Sequence, residues 1–131
     1  MAAKKAEQAL VEQWRGILAL HARTQCELDR ALHHHGLCAS DFEVLDVLAG
    51  GAAADGSCGY RVQEIADRVH LSQSALSRLI ARLEKDGLVE RGMCAEDRRG
   101  VRVALTGKGR ALHREVLPVQ RAVLTRMLES S

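Results

Sequence analysis

The sequence predicts a mainly α-helical chain carrying one small β-hairpin, a wing. Three observations lead there. Apolar residues recur at spacings of three, four and seven along most of the chain. One stretch, Val101-Arg102-Val103-Ala104-Leu105, alternates in period two as a half-buried strand does. Gly, Ser and Thr stand where the periodic segments start and stop.

Residues 6–33 read as a long helix with Leu10, Trp14, Ile17, His21, Leu28 and Leu32 near one face; Gly36, after His33-His34-His35, is its stop. Ser40 is placed to cap a second helix whose apolar set is Phe42, Leu45, Leu48 and Ala49. Gly50 to Gly59, rich in Gly and Ala, reads as a flexible connection. A short helix follows over 62–69, with Val62, Ile65, Ala66 and Val69 inward. Ser72 caps the next, 73–86, which buries Leu76, Leu79, Ile80 and Leu83 and ends at Gly87. Leu88 to Arg91 reads as the strand partner of 101–105, and the polar run Gly92 to Gly100 joins them. Thr106 caps a last helix with Leu112, Val116, Val119, Val123 and Met127 along one side, which Pro118 should kink or divide.

Composition narrows the function. The chain has 131 residues, enough for one domain, and 47% are hydrophobic, so it folds. Trp14, Phe42 and Tyr60 are the only aromatic residues, which argues against a module that stacks bases on rings. No run is apolar enough for a membrane helix, and the N-terminal lysines precede no secretory core, so a cytoplasmic protein is expected. Cys26, Cys38, Cys58 and Cys94 are scattered and read as free thiols. Residues 1–60 hold five Lys/Arg and eight Asp/Glu, a balance of −3; residues 61–131 hold fourteen and nine, a balance of +5. Positive charge in the second half points to a polyanionic partner. No G-x-S-x-G, H-E-x-x-H or P-loop signature suggests an enzyme, and no cofactor is implied.

Two short helices joined by a tight turn and followed by a hairpin follow the plan of a winged helix-turn-helix. Ala66 is small where the two helices approach, and Ile65, Val69, Leu71, Leu76 and Leu79 pack the pair. His70 stands at the turn position that favours positive φ, which His tolerates better than most residues. Ser72, Gln73, Ser74, Ser77, Arg78 and Arg82 lie off the apolar stripe of the second helix. Gln suits adenine and Arg suits guanine in the major groove, while Ser hydroxyls reach phosphates or base edges. The plain alternative is a solvated polar face.

The segments QEIADRVHLSQSALSRLIARLEKDGLVER and EDRRGVRVALTGKG resemble the MarR family of bacterial regulators, strongly over residues 61–110 and more weakly across the rest. The resemblance implies one domain over 1–131: a winged helix-turn-helix at 60–105, flanked by dimerisation helices at 1–35 and 107–131. It implies a homodimer with recognition helices in successive major grooves of an inverted repeat in double-stranded DNA. Family members usually continue into a fuller last helix, so either a compact interface or a shortened chain is expected here. The matching wing positions are Asp97 and Arg99: Arg99 would enter the narrow minor groove, Asp97 would orient it, and Arg98 and Arg102 would meet phosphates. A solvated hairpin tip is the alternative.

Many relatives bind small aromatic acids between the first, second and last helices. Trp14, Arg15 and His21 are candidates for such an effector pocket, against a core Trp beside a solvated Arg. Zinc-sensing relatives carry a His pair in the last helix, but His113 stands alone; His33, His34, His35 and Cys38 read better as an ordinary basic helix end than as metal ligands. Peroxide-sensing relatives place a reactive Cys near the position of Trp14, so a thiol switch is not expected. A winged helix that binds protein partners is the remaining alternative, and it would need neither the wing Arg nor the Ser/Arg face.

Overall fold

A computed structural model describes residues 2–55, 59–94 and 97–129, with the side chains of 51–55, 93, 94 and 97–99 outside the description. The elements run α1 (Ala2–His33), α2 (Ala39–Asp55), β1 (Tyr60–Arg61), α3 (Val62–Val69), α4 (Gln73–Lys85), β2 (Val89–Cys94), β3 (Asp97–Leu105) and α5 (Gly107–Glu129). The fold is mainly helical, with a three-stranded antiparallel sheet ordered β1-β3-β2. None of the described helices is long and apolar enough to cross a membrane.

The core lies where α2, α3, α4 and the sheet meet. Phe42, Leu45 and Leu48 of α2 pack with Ile65 of α3, Leu76, Ile80 and Leu83 of α4, Val89 and Val103 of the sheet and Val116 of α5. Each such side chain is worth about 1.5–3 kcal/mol of transfer free energy. A smaller group, Leu28, Ala39 and Val123, joins α1, α2 and α5. The Arg126–Glu27 ion pair, at 3.1 Å, also links α1 to α5.

Helix ends follow the signals in the chain. Gly36 (φ 76°) closes α1, with the Leu37 N–H on the Leu32 carbonyl and the Gly36 N–H on that of His33. Gly87 (φ 78°) closes α4 in the same way, through Leu88 to Leu83 and Gly87 to Glu84. The carbonyls just beyond α4 are all taken by the start of α5. Lys108 Nζ donates to Asp86 O (2.9 Å), Thr106 Oγ1 to Gly87 O (2.6 Å) and the Thr106 N–H to Leu88 O (3.1 Å). Thr106 Oγ1 in turn accepts the Gly109 N–H at 3.0 Å, the cap expected of it. Gly109 is buried there, so close to Leu88 that a Cβ would run into its carbonyl oxygen.

Four expectations need correction. The run after Gly50 is helical as far as Asp55, because Ala52, Ala53 and Ala54 favour helix enough to offset two glycines; of the expected connection, only Gly59 is described outside the helix, and 56–58 lie outside the described residues. Ser40 does not cap α2. The Cys38 N–H bonds Asp41 Oδ2 (2.9 Å) and the Ala39 N–H bonds Asp29 Oδ1 of α1 (2.8 Å), so two carboxylates serve that end. Of the kink or division expected at Pro118, the division does not occur: α5 stays helical through it. Lastly, the hairpin is longer than 88–91 and 101–105 and gains a third strand: Tyr60 pairs with Val103 and Arg61 with Arg102. Two residues are too few to alternate visibly, which is why β1 escapes a periodicity reading.

Candidate nucleic-acid interface

The second helix of the pair, α4, is set by three local devices. Glu64 Oε1 accepts the Arg61 N–H (2.9 Å) and fixes the start of α3. His70 ends α3 in the left-handed region (φ 57°), its N–H on the Ala66 carbonyl. Ser72 Oγ then accepts the Ala75 N–H (3.2 Å) as the N-cap of α4. The left-handed residue turns the chain sharply, and the cap restarts the helix at once, so α4 lies across α3.

With Leu76, Leu79, Ile80 and Leu83 buried, the opposite face of α4 is exposed along Ser72, Gln73, Ser74, Ser77, Arg78 and Arg82. The six candidates therefore share one surface. Arg78 has no hydrogen-bond or ionic partner among the described residues and is free to reach a ligand. Arg82 is engaged: its guanidinium pairs with Asp41 of α2, whose side chain is 4% exposed. Gln73 is engaged as well, donating to Gln63 of α3.

The wing candidates separate. Arg102 lies low in β3, opposite Gly92 and Arg61, and donates to the Gly59 carbonyl at 3.0 Å. Gly59 (φ 102°) sits so close to Val103 that a Cβ would strike its carbonyl oxygen. Asp97, Arg98 and Arg99 belong to the β3 backbone, with Asp97 opposite Cys94; their side chains lie outside the described residues. On the strand behind, Arg91 pairs with Glu84 at 3.4 Å, tying the hairpin to α4.

A cavity of about 520 Å³ lies between α1, α2 and the turn that joins α3 to α4. His21, Thr24, Leu28, Glu43, His70 and Leu71 help to line it. Of the three pocket candidates, His21 alone is among the described lining residues. Trp14, 57% exposed, and Arg15 stand on the uncovered N-terminal part of α1, so in the single chain Trp14 is not a core residue either. The Thr24 hydroxyl is buried at the cavity with no partner among the described residues.

Glu43 has a carboxyl held above its usual range, first by burial and then by nearby Asp46, with Arg121 opposing both. It belongs to a polar seam between α2 and α5. Gln120 Nε2 lies 3.4 Å from Glu43, Arg121 donates to Asp46 (3.1 Å) and to Gln120, and His113 Nε2 is 2.7 Å from Asp46. The His113 ring stacks on Phe42 with centroids 5.3 Å apart. Among the described residues no group of three or more His, Cys, Asp or Glu is arranged to hold a metal.

Sequence reasoning missed Gln63, Asp67, Asp41 and Glu43. One signal was available: Gln63 and Asp67 are four apart on a helix, a spacing that brings side chains together.

A helix-turn-helix with a hydroxyl-rich, cationic outer face and an adjoining hairpin defines a winged-helix DNA-binding protein. A family model described as the MarR family matches residues 35–100, and the chain belongs to that family. It is 28% identical over 125 residues to the HTH-type transcriptional repressor MdtR of Bacillus subtilis (strain 168), spanning 95% of this chain and 77% of that one. A MarR family transcriptional regulator from Streptomyces coelicolor, solved in complex with DNA, is 30% identical and superposes with a TM-score of 0.77, covering 95% of this chain and 75% of that one. CouR from Rhodococcus jostii RHA1, solved bound to p-coumaroyl-CoA, is 25% identical with a TM-score of 0.77 and coverage of 88% and 77%.

Proposed function

We propose that this chain is a sequence-specific transcriptional repressor that binds an inverted repeat in promoter DNA as a homodimer and is released by a small-molecule effector. The observation that carries the reading is the outer face of α4: six polar or cationic residues exposed on one side of a helix whose other side is core. DNA-bound and effector-bound relatives support the two halves of the proposal.

In this reading α4 enters the major groove, with Arg78 and Gln73 at base edges and the serines at phosphates. Arg99, oriented by Asp97, enters the minor groove; Arg98 and Arg102 face the backbone. Leu10, Trp14, Ile17 and Leu18 form an exposed apolar stripe on α1 that a second copy would cover. Two-fold symmetry would then set the reading helices about 34 Å apart, one turn of DNA. The effector would enter the cavity behind the turn, where His70 and Leu71 would feel its bulk. No catalytic step is assigned, and the site of action is the cytoplasm.

The test is selection of bound duplexes from a random pool. A palindromic consensus is expected. A pool that remains unenriched would overturn the reading.

A further inference from the structure

The geometry points to Gln63 as a positioning residue that fixes the amide of Gln73 in the orientation that reads adenine. This inference rests on the proposal that α4 enters a major groove. Three side chains carry it. Gln63 Nε2 donates to Asp67 Oδ1 at 3.0 Å, and Gln73 Nε2 donates to Gln63 Oε1. All three are exposed, at the point where the start of α4 lies against α3.

The direction of this chain follows from Asp67. A carboxylate accepts and does not donate, so the Gln63 end that meets it is the NH₂. The Gln63 oxygen is thereby turned toward Gln73. That oxygen accepts, so the group Gln73 brings to it is also its NH₂. Among the described residues Gln73, the first residue of α4, is left with one N–H and its Oε1 unused. One donor beside one acceptor matches adenine, which offers N7 as acceptor and the N6 amino group as donor in the major groove. Guanine offers two acceptors at the same edge and would face the Gln73 oxygen with no donor. Without Gln63, the Gln73 amide could rotate to suit either base. Gln63 and Asp67 would therefore set specificity without touching the base.

The experiment is duplex selection from a random pool, followed by affinities for single-base variants of the consensus, compared as ratios so that changes in overall charge cancel. The wild type should require adenine at one position per half-site, by roughly tenfold or more over guanine. Gln73→Ala should remove that preference alone. Gln63→Glu keeps an acceptor facing Gln73 and should keep adenine. Gln63→Lys presents only donors; it should draw the Gln73 oxygen toward itself, turn the NH₂ to the groove and move the preference toward guanine. Adenine retained by Gln63→Lys would overturn the role of Gln63. A consensus unchanged by Gln73→Ala would overturn the whole inference while leaving the DNA-binding reading intact. A wild type that enriches nothing would overturn both.

Discussion

The Arg82 guanidinium on the outer face of α4 is paired with the buried carboxylate of Asp41, which also caps α2 through the Cys38 N–H. One carboxylate thus holds the reading helix and starts the helix beneath it. Arg82→Ala would leave Asp41 buried without its counter-charge, at a cost of about 1–3 kcal/mol. It should lower stability in urea and weaken DNA binding evenly across single-base operator variants. Arg82→Lys should recover part of both. Relaxed preference at one base pair with unchanged stability would show instead that Arg82 reads a base.

Arg78 and Arg99 should separate the two reading elements. Arg78→Ala should relax preference at one position per half-site, by about 1–3 kcal/mol on the preferred base. Arg99→Ala should weaken binding to most sequences and reduce the salt slope by about one. Affinities for single-base variants at several salt concentrations check both. An Arg99→Ala protein with unaltered affinity and slope would remove the wing from the interface.

Two glycines should respond oppositely to alanine. Gly109→Ala drives a methyl into the Leu88 carbonyl and should cost about 1–3 kcal/mol of overpacking. Gly50→Ala, in the interior of α2 with open space around it, should stabilise by about 0.5–1 kcal/mol. Urea unfolding of each variant is the measurement.

Stability should fall as pH rises through the range just above the ordinary glutamate pKa, in part because of Glu43. Burial and Asp46 raise its pKa in the folded chain, so the folded state binds the proton more tightly than the unfolded one. The Glu43 contribution is therefore favourable below that window and lost above it. Glu43→Gln should be the more stable protein at neutral pH and should flatten this part of the profile. A pH series of urea midpoints that is identical for wild type and variant would contradict it.

The uncovered stripe on α1 predicts self-association. Trp14→Glu should shift the protein toward monomer in light scattering at micromolar concentration and weaken DNA binding with it. A variant that stays dimeric would place the interface elsewhere.

The reading head was legible because its signals are local. Ser72, His70 and Gly87 act within a few residues of themselves, and the apolar set of α4 repeats with one period. What escaped depends on residues far apart in the chain. Asp41 meets Arg82 across 41 positions, and His113 meets Asp46 across 67. The cap of α2 escaped only in part for this reason: Asp29 of the preceding helix reaches the Ala39 N–H, but Asp41, on the Cys38 N–H, lies as near in the chain as Ser40. Periodicity alone does not place Trp14, because an apolar stripe looks the same whether the chain itself covers it or leaves it exposed. The α1 periodicity is real, yet only Thr24, Leu28 and Leu32 of that helix are buried within the single chain.

Thr106 and Lys108 hold three successive carbonyls at the end of α4, and through them the last helix and the reading helix share a joint. Such a joint resists bending, because any tilt of α4 away from α5 breaks several hydrogen bonds at once. If that joint holds, motion would be shared: α5 would act as a lever, and a small rotation about its long axis would swing the far end of α4 through an arc. In a two-fold assembly the arc is doubled, since each copy swings in the opposite sense. The gap between reading helices would be geared to the angle between paired α5 helices, and an effector could alter it without touching either helix that meets DNA.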